Sequence, residues 1–269
     1  MSRPVRSAVA LAAVVLTYSM LRNFADRFVY YPMRYPQGAW ALQAKVGAED
    51  RWLMAADGTR LNGWWFPKPG ARFATVFLHG NAGNVTHRID HAQAVVDAGS
   101  AFLVVDYRGY GKSASHPSER GLYEDADAAY AELLQLGYAP ERIIVHGESL
   151  GTAIAVDLAI RNRCAGVILE SPLMSAGRIA GTVLPFLGPL FVRGYDTYSK
   201  ISRLHAPLMV IHGDADEIVP FAQGRAVFDA ANSPKQFWAV PDAHHNDLLD
   251  TAGAEYAAHL RAFYDLLGR

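Results

Sequence analysis

The chain has 269 residues, 51% of them hydrophobic, a formal net charge of -1 and a single cysteine. That length and apolar content suit one buried core. The balanced charge leaves no basic excess to hold a polyphosphate, so no nucleic-acid partner is expected, and the lone Cys164 excludes an internal disulfide and any four-cysteine metal cluster. At the N-terminus, Arg3 and Arg6 precede an uncharged run from Ser7 to Leu21; Arg22, Asp26 and Arg27 then interrupt Phe24, Phe28, Val29, Tyr30 and Tyr31. The run is short against the roughly 20 residues a bilayer requires. A cleaved signal peptide finds no small-residue site in Tyr18-Ser19-Met20-Leu21, and a buried core helix would fit the length. The preferred expectation is a membrane-anchoring helix over residues 1–31, with Arg22 and Arg27 reaching the interface beside the aromatic residues. The positive flank at Arg3 and Arg6 then places the following domain, 32–269, on the extracytoplasmic side.

Pro32 to about Gly47 reads as an irregular entry segment. Arg51–Ala55 and Leu61–Phe66 flank Asp57-Gly58, a strong hairpin signal. From Ala74 onward short apolar runs alternate with helical stretches. The runs are Ala74–Leu78, Ala101–Val105, Arg142–Val145, Val167–Leu169, Leu208–Ile211 and Phe237–Val240. The helices are expected at about Thr86–Ala98, Leu122–Leu136, Leu150–Asn162, Phe221–Ala231 and Thr251–Leu267. Continuous apolar strands spaced by helices predict an α/β fold, a mostly parallel, doubly wound sheet with an antiparallel leading hairpin. Cys164, at the start of the run to Leu169, reads as a core residue. The segment 172–200 is too long for a simple connection, and its Leu184, Phe186 and Phe191 suggest a short apolar lid that binds substrate. The alternative is an outer helix of the fold.

The candidate chemistry sits at the C-terminal ends of the expected strands, where open parallel sheets bind ligands. Gly147-Glu148-Ser149-Leu150-Gly151 follows one strand and opens a helix. A serine on such a sharp turn projects its hydroxyl from the sheet, and the flanking glycines remove side chains that would clash. Serine needs a base and the base an orienting acid. His245 is preferred over the adjacent His244, and Asp216 over Asp214. For the oxyanion, one amide is expected from Leu150 and the other from the glycine-rich loop His79–Asn84, with Asn81 ahead of Ala82. Asp106–Gly111 lacks the Gly-x-Gly-x-x-Gly spacing of a dinucleotide site, so it reads as scaffold with Arg108 structural. His79, His146 and His212 each end a strand beside a glycine, which suits turns better than a metal; neither metal nor cofactor is expected.

These motifs, HGNAGN (79–84), DYRGYGK (106–112), Pro117-Ser118-Glu119, GESLG (147–151), HGDADEIVP (212–220) and His245-Asn246-Asp247, resemble the α/β-hydrolase superfamily. Within it the chain looks like membrane-anchored serine hydrolases that include protein depalmitoylases and serine-aminopeptidase-like proteins. The resemblance implies the chain order Ser, Asp, His. It also supports Asp216, four residues after the histidine of an His-Gly pair, and His245, directly before Asn-Asp. His244 stands where the pattern usually has glycine. The expected activity is hydrolysis of a small acyl ester or lipidated substrate, as ester or thioester. Aminopeptidase-like amide hydrolysis is the alternative, with Glu148 or Glu170 holding an amine. A non-catalytic scaffold on the same fold is the third reading.

Overall fold

In a computed structural model, residues 29–268 are described. Eight strands form the central sheet: β2 (Glu49–Met54), β3 (Arg60–Phe66), β4 (Phe73–Leu78), β6 (Ser100–Val105), β7 (Ile143–Glu148), β8 (Gly166–Glu170), β9 (Leu208–Gly213) and β10 (Lys235–Val240). Their spatial order is β10-β9-β8-β7-β4-β6-β3-β2. Strands β4 and β6 to β10 run parallel, while β2–β3 and β3–β6 pair antiparallel. The hairpin β2–β3 turns at Asp57-Gly58. Gly58 takes φ +83°, and the Asp57 carboxylate accepts the Thr59 amide. Glycine tolerates that φ without a Cβ penalty.

The sheet is covered on both faces because its strands are apolar on both. In β4, Ala74, Val76 and Leu78 enter one core while Phe73 and Phe77 enter the other. In β6, Ala101, Leu103 and Val105 oppose Phe102 and Val104 in the same way. The alternation is the two-residue period of an extended strand. Helices α1 (Ile89–Ala98), α2 (Glu119–Gln135), α3 (Leu150–Arg161), α4 (Ala176–Val183), α5 (Gly188–Phe191), α6 (Phe221–Ala230), α7 (Leu248–Ala252) and α8 (Ala254–Leu267) fill the connections. Helix α2 begins three residues earlier than expected because Ser118 caps it, accepting the Gly121 amide. The last expected helix is two, broken at Gly253 with φ 52° and ψ -132°. Cys164 is half-buried rather than fully in the core. The entry segment contributes a strand that the sequence did not announce: β1 (Tyr31–Pro32) pairs in parallel with β5 (Ala82–Gly83).

The expected membrane anchor and outward-facing domain require correction. No helix among the described residues is long and apolar enough to cross a membrane. The run from Ser7 to Leu21, on which the expectation rested, lies outside those residues.

Candidate active site

Ser149 occupies the turn from β7 into α3 with φ 50° and ψ -117°. A non-glycine residue held there costs on the order of 1–3 kcal/mol and persists only where its surroundings over-determine it. They do so here. The Ser149 amide donates to the carbonyl of Glu170 at 2.8 Å, and its own carbonyl accepts the Thr152 amide and hydroxyl. A Cβ on Gly151 would be driven into the Leu78 carbonyl, and one on Gly147 into that of Gly151. The glycines are therefore needed for close backbone approach, and the turn lifts the serine to the sheet's C-terminal edge.

Loops after β9 and β10 bring the other two groups. His245 Nε2 lies 3.0 Å from Ser149 Oγ, and His245 Nδ1 lies 2.7 Å from Asp216 Oδ2. The Ile218 and Val219 amides donate to Asp216 Oδ1 at 2.9 and 2.7 Å. His212 Nε2 stands 3.3 Å from Asp216 Oδ2 while donating to the Val219 carbonyl. Burial works to raise the Asp216 pKa, but hydrogen bonds from His212 and His245 hold it well below the usual carboxylate range. For His245, burial works downward, and the hydrogen bond and charge of Asp216, with Glu148 and Glu170 behind it, raise the pKa overall. The competing residues face elsewhere. His244 Nδ1 binds the exposed Glu217 at 3.0 Å, and Asp214 caps the Asp242 amide at 2.8 Å. This constellation can remove the serine proton and stabilise the resulting imidazolium.

That shift gives a pH dependence with a definite sign. The base acts when neutral, and a raised pKa keeps it protonated to higher pH. The kcat/KM for an ester is therefore expected to rise with pH, with its midpoint above the ordinary histidine value of about 6.5. A pH–rate profile with a midpoint below that value refutes the assignment. His244→Ala should leave the profile in place.

Two amides are candidates for the oxyanion. Leu150 is the first residue of α3, where the N–H has no intrahelical acceptor. Asn81 lies in the loop after β4, and neither its amide nor that of Leu150 finds a backbone acceptor among the described residues. The rest of the loop is tied down. His79 Nδ1 donates to the Gly80 carbonyl at 2.8 Å. The Asn81 carbonyl accepts the Tyr31 amide at 2.9 Å and the Tyr110 hydroxyl at 2.8 Å, and Tyr107 donates to the His79 carbonyl at 3.0 Å. Burial and then the Arg88 charge push the His79 pKa down to about 3, so its ring is neutral. The Asp106–Lys112 loop thus buttresses this one, and Arg108 is structural, forking onto Asp125 and reaching Asp57.

A second cluster was not foreseen as such. A cavity of about 380 Å³ beside His245 is bordered by Arg88, His91, Glu148 and Glu170. Glu170 is 4% exposed. Its Oε1 meets His91 Nε2 at 3.2 Å, and its Oε2 accepts the Tyr256 hydroxyl at 2.6 Å with His146 Nε2 at 3.5 Å. Burial opposes both charges of the His91–Glu170 pair, but mutual attraction raises His91 and lowers Glu170. The available signal was the spacing of Arg88 and His91, three apart at a helix start and so on one side of it. Among the described residues no group of three or more His, Cys, Asp or Glu is arranged to hold a metal ion.

The apolar segment emerges as α4 and α5, which approach closely because Gly188 has no Cβ to meet the Ala180 carbonyl. Leu184, Phe186 and Phe191 are 50%, 91% and 37% exposed. None of the three borders the cavity beside His245. With Val183, Leu187 and Leu190 they leave an exposed apolar patch.

A family model described as Serine aminopeptidase, S33, matches residues 70–196. Uncharacterized protein Rv2307c of Mycobacterium tuberculosis is 37% identical over 257 residues, covering 92% of this chain and 90% of that protein. Alpha/beta hydrolase domain-containing protein 17C of Mus musculus is 37% identical over 204 residues, covering 72% of this chain and 60% of that protein. The solved esterase Pf2001 of Pyrococcus furiosus superposes with a TM-score of 0.73 at 20% identity, covering 88% of this chain and 98% of that one. An alpha-beta hydrolase of Vibrio vulnificus gives 0.70 at 19%, covering 97% and 94%. At such identities the two superpositions speak for the fold alone.

Proposed function

This chain belongs to the α/β-hydrolase superfamily, and on that footing we propose that it is a serine hydrolase cleaving carboxylic acyl esters or thioesters through an acyl-enzyme. The observation that carries the reading is the line from Ser149 through His245 to Asp216, at 3.0 and 2.7 Å. Ser149 Oγ attacks the acyl carbon while His245 Nε2 takes its proton. The oxygen of the tetrahedral intermediate rests on the Asn81 and Leu150 amides. His245 then protonates the departing alcohol or thiol, and water repeats the cycle to release the acid. Asp216 holds the imidazole tautomer with its proton on Nδ1.

Esters are favoured over aminopeptidase substrates by the state of the two glutamates. A site for a free amine needs a carboxylate to spare. Glu170 already meets His91, His146 and Tyr256, and Glu148 is paired with Arg88. Inserting an ammonium would require breaking a buried ion pair, which is costly.

The apolar patch on α4 and α5 suits an acyl chain, since patches of this kind mark interaction surfaces. Each buried CH₂ contributes about 0.8 kcal/mol, so two extra carbons should raise kcat/KM by up to roughly tenfold while contact lasts. A series of esters, thioesters and aminoacyl amides, scanned by chain length, tests the proposal. Medium or longer acyl esters are expected to exceed acetyl esters, and aminoacyl amides to be poor. Replacing Phe186 and Phe191 by serine should flatten the chain-length dependence and spare acetyl-ester hydrolysis. A native preference for acetyl groups refutes the acyl-chain role of the patch, and a preference for aminoacyl amides refutes the ester reading.

A further inference from the structure

We propose that Glu148 and Arg88 form a strut that fixes the oxyanion loop against the nucleophile turn, making both of them positioning residues for the Asn81 amide. The inference rests on the hydrolase reading above. Glu148 immediately precedes Ser149, so its backbone is set by the same strained turn. Its side chain crosses to the neighbouring loop, where Oε2 accepts the Gly80 amide at 3.3 Å. Arg88 Nε stands 2.7 Å from that same oxygen in an ion pair, and Arg88 Nη2 donates to the Ala82 carbonyl at 3.3 Å. Gly80 and Ala82 are the two neighbours of Asn81. One ion pair therefore ties both sides of the residue whose N–H is left without a backbone acceptor.

The pair is well placed for this work. Its side chains are 11% and 21% exposed, so solvent screens it little and removing one partner strands a charge. Its two ends belong to different elements: Glu148 closes β7, and Arg88 precedes α1. Contacts on the far side of the loop, from Tyr31 and Tyr110 to the Asn81 carbonyl, resist rotation of that peptide but do not tie it to Ser149. Among these contacts only the glutamate comes from the turn that carries the nucleophile. An amide aimed at developing charge is effective only if already in place, and a misplacement near 1 Å can cost about 100-fold.

Arg88→Met, Arg88→Lys, Glu148→Gln and the Arg88→Met/Glu148→Gln double variant of the full chain form the test. The readouts are kcat, KM and affinity for an aryl trifluoromethyl ketone. In that adduct Ser149 Oγ bonds to the carbonyl carbon, the serine proton passes to His245, and the ketone oxygen becomes an anion in the oxyanion hole. Arg88→Met is expected to lower kcat by about 10- to 100-fold with KM changed less than about threefold, and ketone affinity should fall in step with kcat. Glu148→Gln keeps an acceptor for Gly80 but loses the charge holding Arg88, so a smaller loss in the same direction is expected. Arg88→Lys should recover part of the Met loss. The double variant should cost about as much as Arg88→Met alone, since the two act as a unit. A lowered melting temperature with native kcat and ketone affinity in the folded protein would overturn the strut, leaving an ordinary stabilising pair. A raised KM at native kcat would also overturn it, in favour of substrate binding. A native chain inert to both esters and fluorophosphonates overturns the hydrolase reading and this inference with it; a reactive native chain with unresponsive variants overturns the strut alone.

Discussion

Ser149→Ala is expected to abolish covalent labelling by a fluorophosphonate and to lower kcat by about 10⁴-fold or more. The size follows from what is removed. Without Oγ no acyl-enzyme forms, and the remaining machinery has only water to activate. The oxyanion amides and substrate positioning survive, so a residual rate over uncatalysed hydrolysis of about 10³–10⁴ is still expected. KM should change little, because the serine is a small part of any binding surface. Stability should not fall, since alanine relieves no hydrogen bond of the turn: the Ser149 amide and carbonyl make the contacts to Glu170 and Thr152. Turnover close to native in this variant would remove the proposed mechanism altogether.

Asp216→Asn should be nearly as severe, at on the order of 10⁴ in kcat. An amide in this position presents an NH₂ or a carbonyl to His245 Nδ1. If the NH₂ faces the ring, it favours the tautomer with the proton on Nε2, the atom that must accept from Ser149. The surroundings press toward that orientation, because the Ile218 and Val219 amides already donate to the other oxygen of Asp216. The charge that stabilises the imidazolium is also lost. Asp214→Asn removes only part of a cap on Asp242 and should cost less than about tenfold. Equal losses in the two variants would mean that the acid has been misassigned.

Much of this was legible in the sequence because it is local. Alternation in Phe73–Leu78 and Ala101–Val105 announces strands buried on both faces, and the glycines around Ser149 announce a close backbone approach. Asp216 and His245 were preferred to Asp214 and His244 with the support of the resemblance to α/β-hydrolase motifs, and in the structure it is His245 and Asp216 that line up with Ser149. What was not legible depends on distant segments meeting. His91 and Glu170 are 79 positions apart and Tyr256 a further 86, so no spacing predicts their cluster. The pairing of Tyr31 with Ala82 is invisible because two-residue strands have no periodicity. Gly253 sits inside an apolar helical pattern, and only its φ of 52° shows why the helix breaks there. The apolar segment around Phe186 was noticed for its composition, but composition carries no information about which surface it faces.

The order of strands has a consequence for assembly. Ser149 is held by β7 and β8 near the middle of the sheet, whereas Asp216 and His245 follow β9 and β10, the last strands added at one margin. During synthesis the nucleophile's supporting strands emerge before its base and acid exist outside the ribosome. On the proposed mechanism, a partly built sheet carries a serine of ordinary alcohol reactivity, and competence arrives only when the margin closes. The same holds in the finished molecule. Fraying of the marginal strand β10, which is paired on one side only, would withdraw His245 from Ser149 while leaving the strained turn intact.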